Sequence, residues 1–510
     1  MSQSIDDAGL HDMALTSLSP AFLAPASAGG VASDRRPQAS CPRKVVSTTG
    51  LHQPRVRVYS ALRTRRPRVE TMGTDRSPAF RRMQWVAVAM CTFAIALNYI
   101  DRSTLAIGNL KIREEFGISA TGIGALQSAW SIAFALAQIP VGLMIDRVGP
   151  RRLLGWALVL WSLAQAAGGA MAGYMGFLCS RVALGVFESP AFPSAVRTVA
   201  NWFAIRDRGR PTGVYTIGGD LGRLIGTPLL TALMLAFGWR TMFVVMGVVG
   251  LLGALAWFAL YRDPRFDGMA AADRAYLAQN GVGARGPVTL ASWKRLFRFR
   301  SMWGMILAAF CSGYALWMYG TWLPGYLEME HHVSIARTGV LAMIPLACSI
   351  IGSIVGGWLT DRLAHGTMGI VESRKLPAAL GYVAASVFCG LAASAASMEW
   401  ALAAISASMF FMAIAQSGKW TLITAIAPQS YAASASSIQN FGSYLGGTLS
   451  PIVTGMVVDS TGSFVLALAL GASVMMAAAA FFYFGVGEPI TIEALGGEPD
   501  APVARPLGAA

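Results

Sequence analysis

Seven charged side chains interrupt the long apolar runs of this chain. A charge at the centre of a lipid bilayer costs about 2.5–3.5 kcal/mol on insertion scales, and membrane proteins keep such charges mainly for work on ions or substrates. Four of the seven are cations, a balance that suits a cavity for an organic anion and disfavours a cationic ligand. The seven are Asp101, Arg102, Arg181, Glu188, Asp220, Arg223 and Lys419.

Arg181 and Glu188 are seven residues apart, which is about two helical turns, so both project from one face of a helix. Arginine offers a planar fork of donors that matches a carboxylate. A glutamate in a dehydrated cavity can exchange a proton, and a neighbouring cation controls that exchange. An anion that arrives at the arginine would therefore change the proton balance of the glutamate. The alternative is a structural ion pair that ties this helix to a neighbour.

Asp101 and Arg102 are adjacent and point about 100° apart on a helix. One interpretation directs Arg102 toward an anionic substrate and Asp101 toward a proton path or another arginine. The other places both side chains, with Asn98, at the outer rim of their membrane span. The sequence leaves the two open.

Asp220 and Arg223 are three residues apart and can pair on one helix face. An internal pair and a direct role in the cavity are both possible for them. Lys419 is a single ammonium group in an apolar run and needs an anionic partner, which a substrate could supply. The alternative for Lys419 is a side chain that extends to the membrane interface.

Composition places most of the chain in a membrane. Of its 510 residues 55% are hydrophobic and 13% charged, against about 25% charged in soluble proteins. The net charge is +14, and half of it lies in residues 1–82, with thirteen Lys/Arg against six Asp/Glu. No basic stripe is interleaved with exposed aromatic residues, so we expect no nucleic-acid partner.

Metal and redox chemistry find no support in the sequence. The six cysteines form no CxxC pair, and the five histidines lie outside the apolar runs. We find no metal-ligand cluster, nucleophile–base pair or phosphate loop. We therefore expect no cofactor and no enzymatic activity, and proton chemistry inside the membrane must use carboxylates.

Twelve apolar runs approach or exceed the length of about 20 residues that a helix needs to cross a bilayer. They form two sets of six, separated by a polar stretch at 262–301. We predict an all-α membrane protein with twelve transmembrane helices in two pseudo-symmetric six-helix lobes, at 83–261 and 302–487. The predicted spans are 85–109, 121–144, 153–172, 175–199, 211–236, 240–261, 302–326, 335–359, 376–396, 400–426, 432–457 and 463–486.

A Gly-x-x-x-Asp-Arg segment occurs at 142–147 and again at 357–362, in each case at the end of the second span of its half. This repeat indicates duplication of a six-helix unit. We expect it to form a gate that holds or releases an outward-open state through interlobe salt bridges. The predicted gate residues are Asp146, Arg147, Arg151, Asp361 and Arg362.

Lys and Arg are concentrated before span one and after spans two, four, six and eight, and this side is expected to be cytoplasmic. Both termini then lie inside, in a bacterial-type inner (plasma) membrane. Residues 1–82 form either a disordered basic leader or, in part, an untranslated stretch, with synthesis starting at Met72. Residues 488–510 are predicted to be a disordered tail.

With these residues in view, the chain resembles the major facilitator superfamily over residues 83–487. Within it, the chain is most similar to the anion:cation symporter family of hexuronate, D-galactonate and phthalate carriers. The supporting segments are Asn98-Tyr99-Ile100-Asp101-Arg102, 142–152, 181–193, Gly238-Trp239-Arg240 and Thr321-Trp322-Leu323-Pro324.

The resemblance implies proton-coupled uptake of a small organic anion through a central cavity by alternating access. It implies that Arg102 contacts a substrate carboxylate, and that Asp101 and Glu188 are the protonatable pair tuned by Arg181. It also implies that Ser417, Trp420 and Asn440 contact substrate.

Three residues depart from the pattern of sugar-acid carriers. Trp130 stands where tyrosine is frequent, Tyr314 lies in a segment where an amide is common, and Lys419 replaces a small polar residue. A sugar acid, an aromatic carboxylate and a dicarboxylate therefore all remain candidate substrates. The predicted substrate-binding residues are Arg102, Trp130, Arg181, Tyr314, Ser417, Lys419, Trp420 and Asn440.

Two other functions are weighed against uptake. An exporter or antiporter of organic anions would share the fold, and a non-transporting membrane sensor would carry an ordered cytoplasmic extension. The expected partners of the chain are the organic anion, protons and the lipid bilayer, and we expect a monomer.

Overall fold

The computed structural model describes residues 76–265, 268–278, 288–330 and 340–496, and this part of the chain is helical with no β-strand. Fourteen α-helices lie within these residues. They are α1 (Pro78–Phe116), α2 (Ala120–Val148), α3 (Pro150–Ala170), α4 (Tyr174–Glu188), α5 (Ala191–Trp202), α6 (Gly209–Leu260), α7 (Ala271–Ala278), α8 (Leu290–Arg295), α9 (Arg300–Met329), α10 (Met343–His365), α11 (Ile370–Ala393), α12 (Met398–Ile426), α13 (Ala432–Thr461) and α14 (Val465–Ala480).

Ten of the described helices are long and apolar enough to cross a membrane. The difference from twelve predicted spans has two sources. Spans five and six run together as α6, which is 52 residues long and has a non-helical residue, Gly238, at φ 80° and ψ 167°. Span four is divided into two short helices, α4 and α5. The twelve predicted spans are therefore present, with spans five and six joined in one helix and span four divided into two.

Two prolines explain the break in span four, which was wrongly predicted as one continuous helix. Proline has no N–H to donate to the carbonyl four residues earlier. The carbonyl of Ser189, which Pro193 cannot bond, accepts a hydrogen bond from Gln138 Nε2 at 2.9 Å. The carbonyl of Val186, which Pro190 cannot bond, accepts from Ser189 Oγ at 2.8 Å. As a result, α4 ends at Glu188.

The two lobes consist of α1–α6 and α9–α14, and glycines allow equivalent helices in each lobe to approach closely. A Cβ atom at Gly218 would lie 2.5 Å from the Thr92 carbonyl oxygen, between α6 and α1. A Cβ atom at Gly442 would lie 2.6 Å from the Ile306 carbonyl oxygen, between α13 and α9. Between the lobes, α2 packs on α13 and α6 packs on α10.

The membrane helices continue beyond the predicted boundaries of the polar segments. Helix α1 begins at Pro78, inside the predicted leader, where the Ser77 hydroxyl accepts from the Phe80 N–H at 3.2 Å. In the predicted tail, the Ile490 N–H donates to the Ile426 carbonyl at 2.8 Å. Helices α7 and α8 lie in the stretch 262–301. The rest of the leader, including Met72, and the tail from 497 onward lie outside the described residues.

One end of the bundle carries most of the arginines that follow the membrane helices. We call it the basic end; it contains the connections α2–α3, α5–α6, α10–α11 and α12–α13. Its arginines include Arg147, Arg151, Arg152, Arg206, Arg208, Arg210, Arg362 and Arg374.

Candidate functional site

A cavity of about 70 Å³ lies between the two lobes. Small-molecule sites usually measure about 300–1,000 Å³, so binding a ligand of that kind requires the helices to separate further. Side chains from α1, α5, α6, α9, α10, α12 and α13 line the cavity. The charged ones are Asp220, Arg223 and Lys419.

Three of the predicted substrate-binding residues line this cavity: Lys419, Trp420 and Asn440. The Lys419 side chain is 1% exposed, and its Nζ donates to Ser312 Oγ at 3.3 Å. Trp420 stacks on Phe192 of the other lobe, with ring centroids 5.1 Å apart. Asn440 is buried, and its Nδ2 has no hydrogen-bond partner among the described residues. The cavity thus offers an ammonium group, an amide and an aromatic face.

Asp220 and Arg223 form the internal ion pair that their spacing allows, and both also line the cavity. Arg223 Nη2 lies 2.5 Å from Asp220 Oδ1. The other oxygen, Asp220 Oδ2, accepts from Ser349 Oγ at 2.7 Å. Because Ser349 is on α10, this hydrogen bond joins the two lobes at the cavity wall.

A buried charge cluster, consisting of Asp101, Arg102, Arg181 and Glu188, lies in the first lobe. Arg102 Nε is 3.7 Å from Glu188 Oε2, and the same oxygen accepts from Trp130 Nε1 at 2.9 Å. The Arg102 guanidinium lies 4.5 Å from the Trp130 ring centroid. Trp130, predicted to bind substrate, therefore contacts both members of this ion pair instead of lining the cavity.

Asp101 and Arg181 complete the cluster from α1 and α4. Each is 1% exposed, and neither side chain makes a hydrogen bond to the described residues. Asp101 interacts electrostatically with Glu188, Arg181 and Arg102. Asn98 is also fully buried, so the outer-rim interpretation of these α1 residues is wrong: α1 extends well beyond the predicted span on both sides of them.

Two tyrosines connect the charge cluster to the cavity. The Arg102 guanidinium lies 4.6 Å from the Tyr99 ring centroid and 5.6 Å from that of Tyr444. Tyr99 and Tyr444 line the cavity, whereas Arg102 and Arg181 are not among its lining side chains. In this conformation the cluster adjoins the cavity through aromatic rings.

Ser417 and Tyr314 do not reach the cavity either. Ser417 Oγ donates to the Ser353 carbonyl at 3.1 Å, so it joins α12 to α10. Tyr314 is 5% exposed and belongs to the apolar core. Both lie on helices that line the cavity, but their side chains pack between helices.

Sequence reasoning missed several lining residues, among them Tyr99, Ser349, Gln416 and Tyr444. Gln416 carried a usable signal, since it lies one helical turn before Lys419 and an amide in an apolar run needs a partner. Its Oε1 has none among the described residues. The tyrosines gave no such signal, because aromatic residues are frequent throughout these helices.

Both repeated aspartates cap a helix of the opposite lobe at the basic end. Asp146 accepts from the Ala433 N–H at 3.2 Å and the Ser434 N–H at 2.7 Å, at the start of α13. Asp361 accepts from the Gly209 N–H at 2.5 Å and the Arg210 N–H at 2.7 Å, at the start of α6. A carboxylate at a helix N-terminus is stabilised by unpaired N–H groups and the helix dipole.

The ion pairs of these aspartates lie within each lobe, so Asp146 and Asp361 do not form the expected interlobe salt bridges. Across the interface, His365 Nε2 lies 3.1 Å from Asp207 Oδ1. Asp146 pairs with Arg197 at 3.6 Å, and Asp361 pairs with Arg374 at 3.3 Å. The contacts of Asp146 and Asp361 to the opposite lobe are made with helix-terminal N–H groups, which the residue types alone do not reveal.

The contacts of the three predicted gate arginines lie within their own lobe or in the stretch 262–301. Arg147 Nε donates to the Val288 carbonyl at 2.9 Å. Arg151 donates to the carbonyls of Tyr261 and Phe258, each at 2.9 Å. The Arg362 guanidinium lies 5.3 Å from the ring centroid of Trp358, on its own helix.

An arginine that the sequence did not single out does cross the interface. Arg208 donates to three carbonyls, each at 3.1 Å: Phe203 and Ala200 in its own lobe and Thr424 at the end of α12. Gln429 donates to the same Ala200 carbonyl at 2.9 Å from the other lobe. The lobes are therefore closed together at the basic end.

Comparison with known proteins gives the family. Residues 91–451 match the model of the Major Facilitator Superfamily. The chain belongs to the major facilitator superfamily. A "probable L-galactonate transporter" of Escherichia coli K12 is 39% identical over 82% of this chain and 92% of its own. A "D-galactonate transporter" of Escherichia coli O6:H1 is 30% identical over 80% of this chain and 96% of its own.

A solved structure has the same fold. The fucose:proton symporter of Escherichia coli has a TM-score of 0.62 and 18% identity, and the match covers 80% of this chain and all of the other. The family match and the two relatives named as transporters identify this chain as a multi-pass membrane transporter and not an enzyme. Among its described residues, no group of three or more His, Cys, Asp or Glu could hold a metal ion.

Proposed function

We propose that this transporter takes up a small organic anion together with protons, by alternating access of the cavity between its lobes. The observation that carries the proposal is the buried cluster Asp101, Arg102, Arg181 and Glu188 beside that cavity. Two carboxylates held against two arginines in the membrane can bind and release protons without metal or cofactor.

A sugar acid is the first substrate class to consider. The two relatives are named a "probable L-galactonate transporter" and a "D-galactonate transporter", and the cavity has groups suited to such a ligand. Lys419 supplies a positive charge, Asn440 supplies amide hydrogen-bonding groups, and Trp420 supplies a flat apolar face. Arg102, Arg181 and Trp130 act on the substrate indirectly, through the protonation of Glu188.

Coupling follows from the position of Tyr99 and Tyr444. Each ring contacts the Arg102 guanidinium on one side and lines the cavity on the other. A substrate that displaces either ring moves Arg102 relative to Glu188. Since Arg102 stabilises the ionised form of that carboxyl group, substrate binding and proton binding become linked.

The basic end is the cytoplasmic end, since short loops rich in Lys and Arg remain inside. Both termini then lie in the cytoplasm and the protein lies in the inner membrane. With the basic end closed by Asp146, Asp361 and Arg208, this conformation is closed to the cytoplasm. Opening to the cytoplasm requires both aspartates to leave the helix N-termini of the opposite lobe.

Uptake into proteoliposomes tests the proposal. Purified protein is reconstituted, an inward proton gradient is imposed, and entry of radiolabelled D- and L-galactonate is measured. We expect accumulation of one of them above equilibrium, abolished by a protonophore. An exporter or antiporter would instead accumulate substrate under an outward gradient, and a sensor would give no flux above that of empty liposomes. Either result would contradict proton-coupled uptake.

A further inference from the structure

Lys419 is the cavity cation that lacks an acidic partner in the described part of the chain. The other cavity cation, Arg223, is paired with Asp220 at 2.5 Å. Around the Lys419 ammonium, one hydroxyl oxygen lies at 3.3 Å, that of Ser312, and the Trp420 ring centroid at 4.8 Å. Burying an ammonium is costly unless its charge is compensated, and an anionic ligand in the cavity would supply that compensation.

The groups near Lys419 suit a hydroxylated carboxylic acid. Gln416 precedes Lys419 by one turn of α12 and lines the same cavity. Its Oε1 has no hydrogen-bond partner among the described residues, and neither does the Nδ2 of Asn440. One is an acceptor and the other a donor, which matches the two roles of a hydroxyl group.

The Asp220–Arg223 pair presents a different environment elsewhere in the cavity. Its charges compensate each other, and both oxygens of Asp220 already accept hydrogen bonds, from Arg223 and Ser349. Arg223 Nε has no partner within the described residues. A neutral hydroxyl can accept from that N–H and donate to Asp220. Because the pair has no net charge, it does not compensate the cost of removing a second carboxylate from water.

Lys419 on α12 and the Asp220–Arg223 pair on α6 line the same cavity. One ligand in that cavity can therefore contact both.

We infer that Lys419 binds the carboxylate of the substrate while the Asp220–Arg223 pair receives its hydroxyl end, so that the cavity selects monocarboxylic over dicarboxylic sugar acids. This inference rests on the proposed transport of an organic anion. It assigns the anion to Lys419 of the second lobe, in place of Arg102, whose charge is already compensated by Glu188.

The test measures binding to the purified full-length protein by calorimetry and by ligand-induced thermal shift. The probes are D- and L-galactonate, which are monocarboxylates, galactarate, which has a carboxylate at both ends, and galactitol, which has none. We expect one galactonate to bind at least tenfold more tightly than galactarate, and galactitol to bind at least a hundredfold more weakly than that galactonate.

Variants assign the two ends. Lys419→Met is expected to weaken galactonate binding at least thirtyfold without lowering the melting temperature of the unliganded protein, since it removes an uncompensated buried charge. Lys419→Arg should keep most of the binding. Lys294→Met makes the same chemical change on the exposed α8 and should have no effect. Asp220→Asn should reduce the preference for galactonate over galactarate.

The inference is overturned if Lys419→Met binds galactonate as the wild type does, or if the wild type binds galactarate at least as tightly as either galactonate. In both cases transport of an organic anion would still stand. If the wild type binds no carboxylate at all, the proposed function fails together with the inference.

Discussion

At the scale of single residues, the central feature is a set of four buried charges that sum to zero. Asp101, Arg181 and Glu188 are buried and the Arg102 side chain is 9% exposed, and the effective penalty for burying an ion is several kcal/mol. Mutual attraction and the Trp130 hydrogen bond to Glu188 offset that penalty. Each charge is therefore needed by the others, and removing one leaves the rest uncompensated.

A double-mutant cycle measures this dependence. Arg102→Met should lower the stability of the purified protein by about 3 kcal/mol, as for other broken buried pairs, because Glu188 loses its nearest cation. Adding Glu188→Gln should restore at least half of the loss, since a neutral amide needs no counter-ion. The readout is unfolding in detergent followed by tryptophan fluorescence.

The control for this cycle is an exposed ion pair of the same helix. Lys111 and Glu114 lie 2.8 Å apart with side chains 60% and 66% exposed, and such pairs contribute about 0–1 kcal/mol. Lys111→Met should therefore change stability little. Strictly additive losses for Arg102→Met and Glu188→Gln would contradict the pairing.

Residue types were enough to locate the charges but not their partners. Each of the seven was visible as a charge in an apolar run, and the Asp220–Arg223 pairing followed from a three-residue spacing. Of the aromatic partners of Arg102, Tyr99 lies three residues earlier on α1, whereas Trp130 and Tyr444 come from α2 and α13. The contacts from other helices leave no pattern in the local sequence.

At the scale of helices, the important contacts are helix ends that are capped by the opposite lobe. Asp146 caps α13, and Asp361 caps α6. The glycines of the same repeats make room for these caps: a Cβ atom at Gly142 would lie 2.7 Å from the Ala433 carbonyl oxygen, and one at Gly357 2.7 Å from that of Gly209. The repeated Gly and Asp therefore act together.

Neutralising one cap should shift the equilibrium between conformations. Asp361→Asn keeps an acceptor oxygen but loses the interaction of a full charge with the α6 N-terminus, about 1 kcal/mol. It also loses the ion pair with Arg374. We expect the population that is open at the basic end to rise about fivefold or more. Pulsed electron paramagnetic resonance, which measures the distance between spin labels at positions 152 and 367, would detect this open population.

Glu372→Gln is the matched control, since this carboxylate is 55% exposed at the same end and pairs within its own helix with Lys375. It should leave the distance distribution unchanged. An unchanged distribution in Asp361→Asn would show that the interlobe cap does not hold the closed state.

Helix positions were more predictable than helix continuity. Apolar run length located every span of the described chain, because it reflects the thickness of the bilayer. The break after Glu188 could have been predicted from Pro190 and Pro193. We predicted a continuous helix because the whole segment is apolar. The fusion of spans five and six at Gly238 depends on φ and ψ at one residue, which run length does not report.

At the scale of the whole molecule, a duplicated framework carries an asymmetric chemistry. The gate repeats in both lobes, and close glycine contacts recur between equivalent helices. Six of the seven membrane charges belong to the first lobe, whereas the second contributes Lys419. We propose that the first lobe binds and releases protons and that the second lobe binds the anion. The cavity between the lobes couples the two binding events.

If the first lobe binds protons and the second binds the anion, each transported substrate should be accompanied by protons. The most direct measurement reconstitutes the purified protein in liposomes that contain a pH-sensitive dye, with no gradient imposed, and adds galactonate outside. We expect acidification of the lumen when the transporter takes up the anion, and none for Glu188→Gln, although that variant should still exchange labelled for unlabelled galactonate. Galactonate entry without lumenal acidification, or acidification that persists in Glu188→Gln, would contradict proton coupling through the buried cluster.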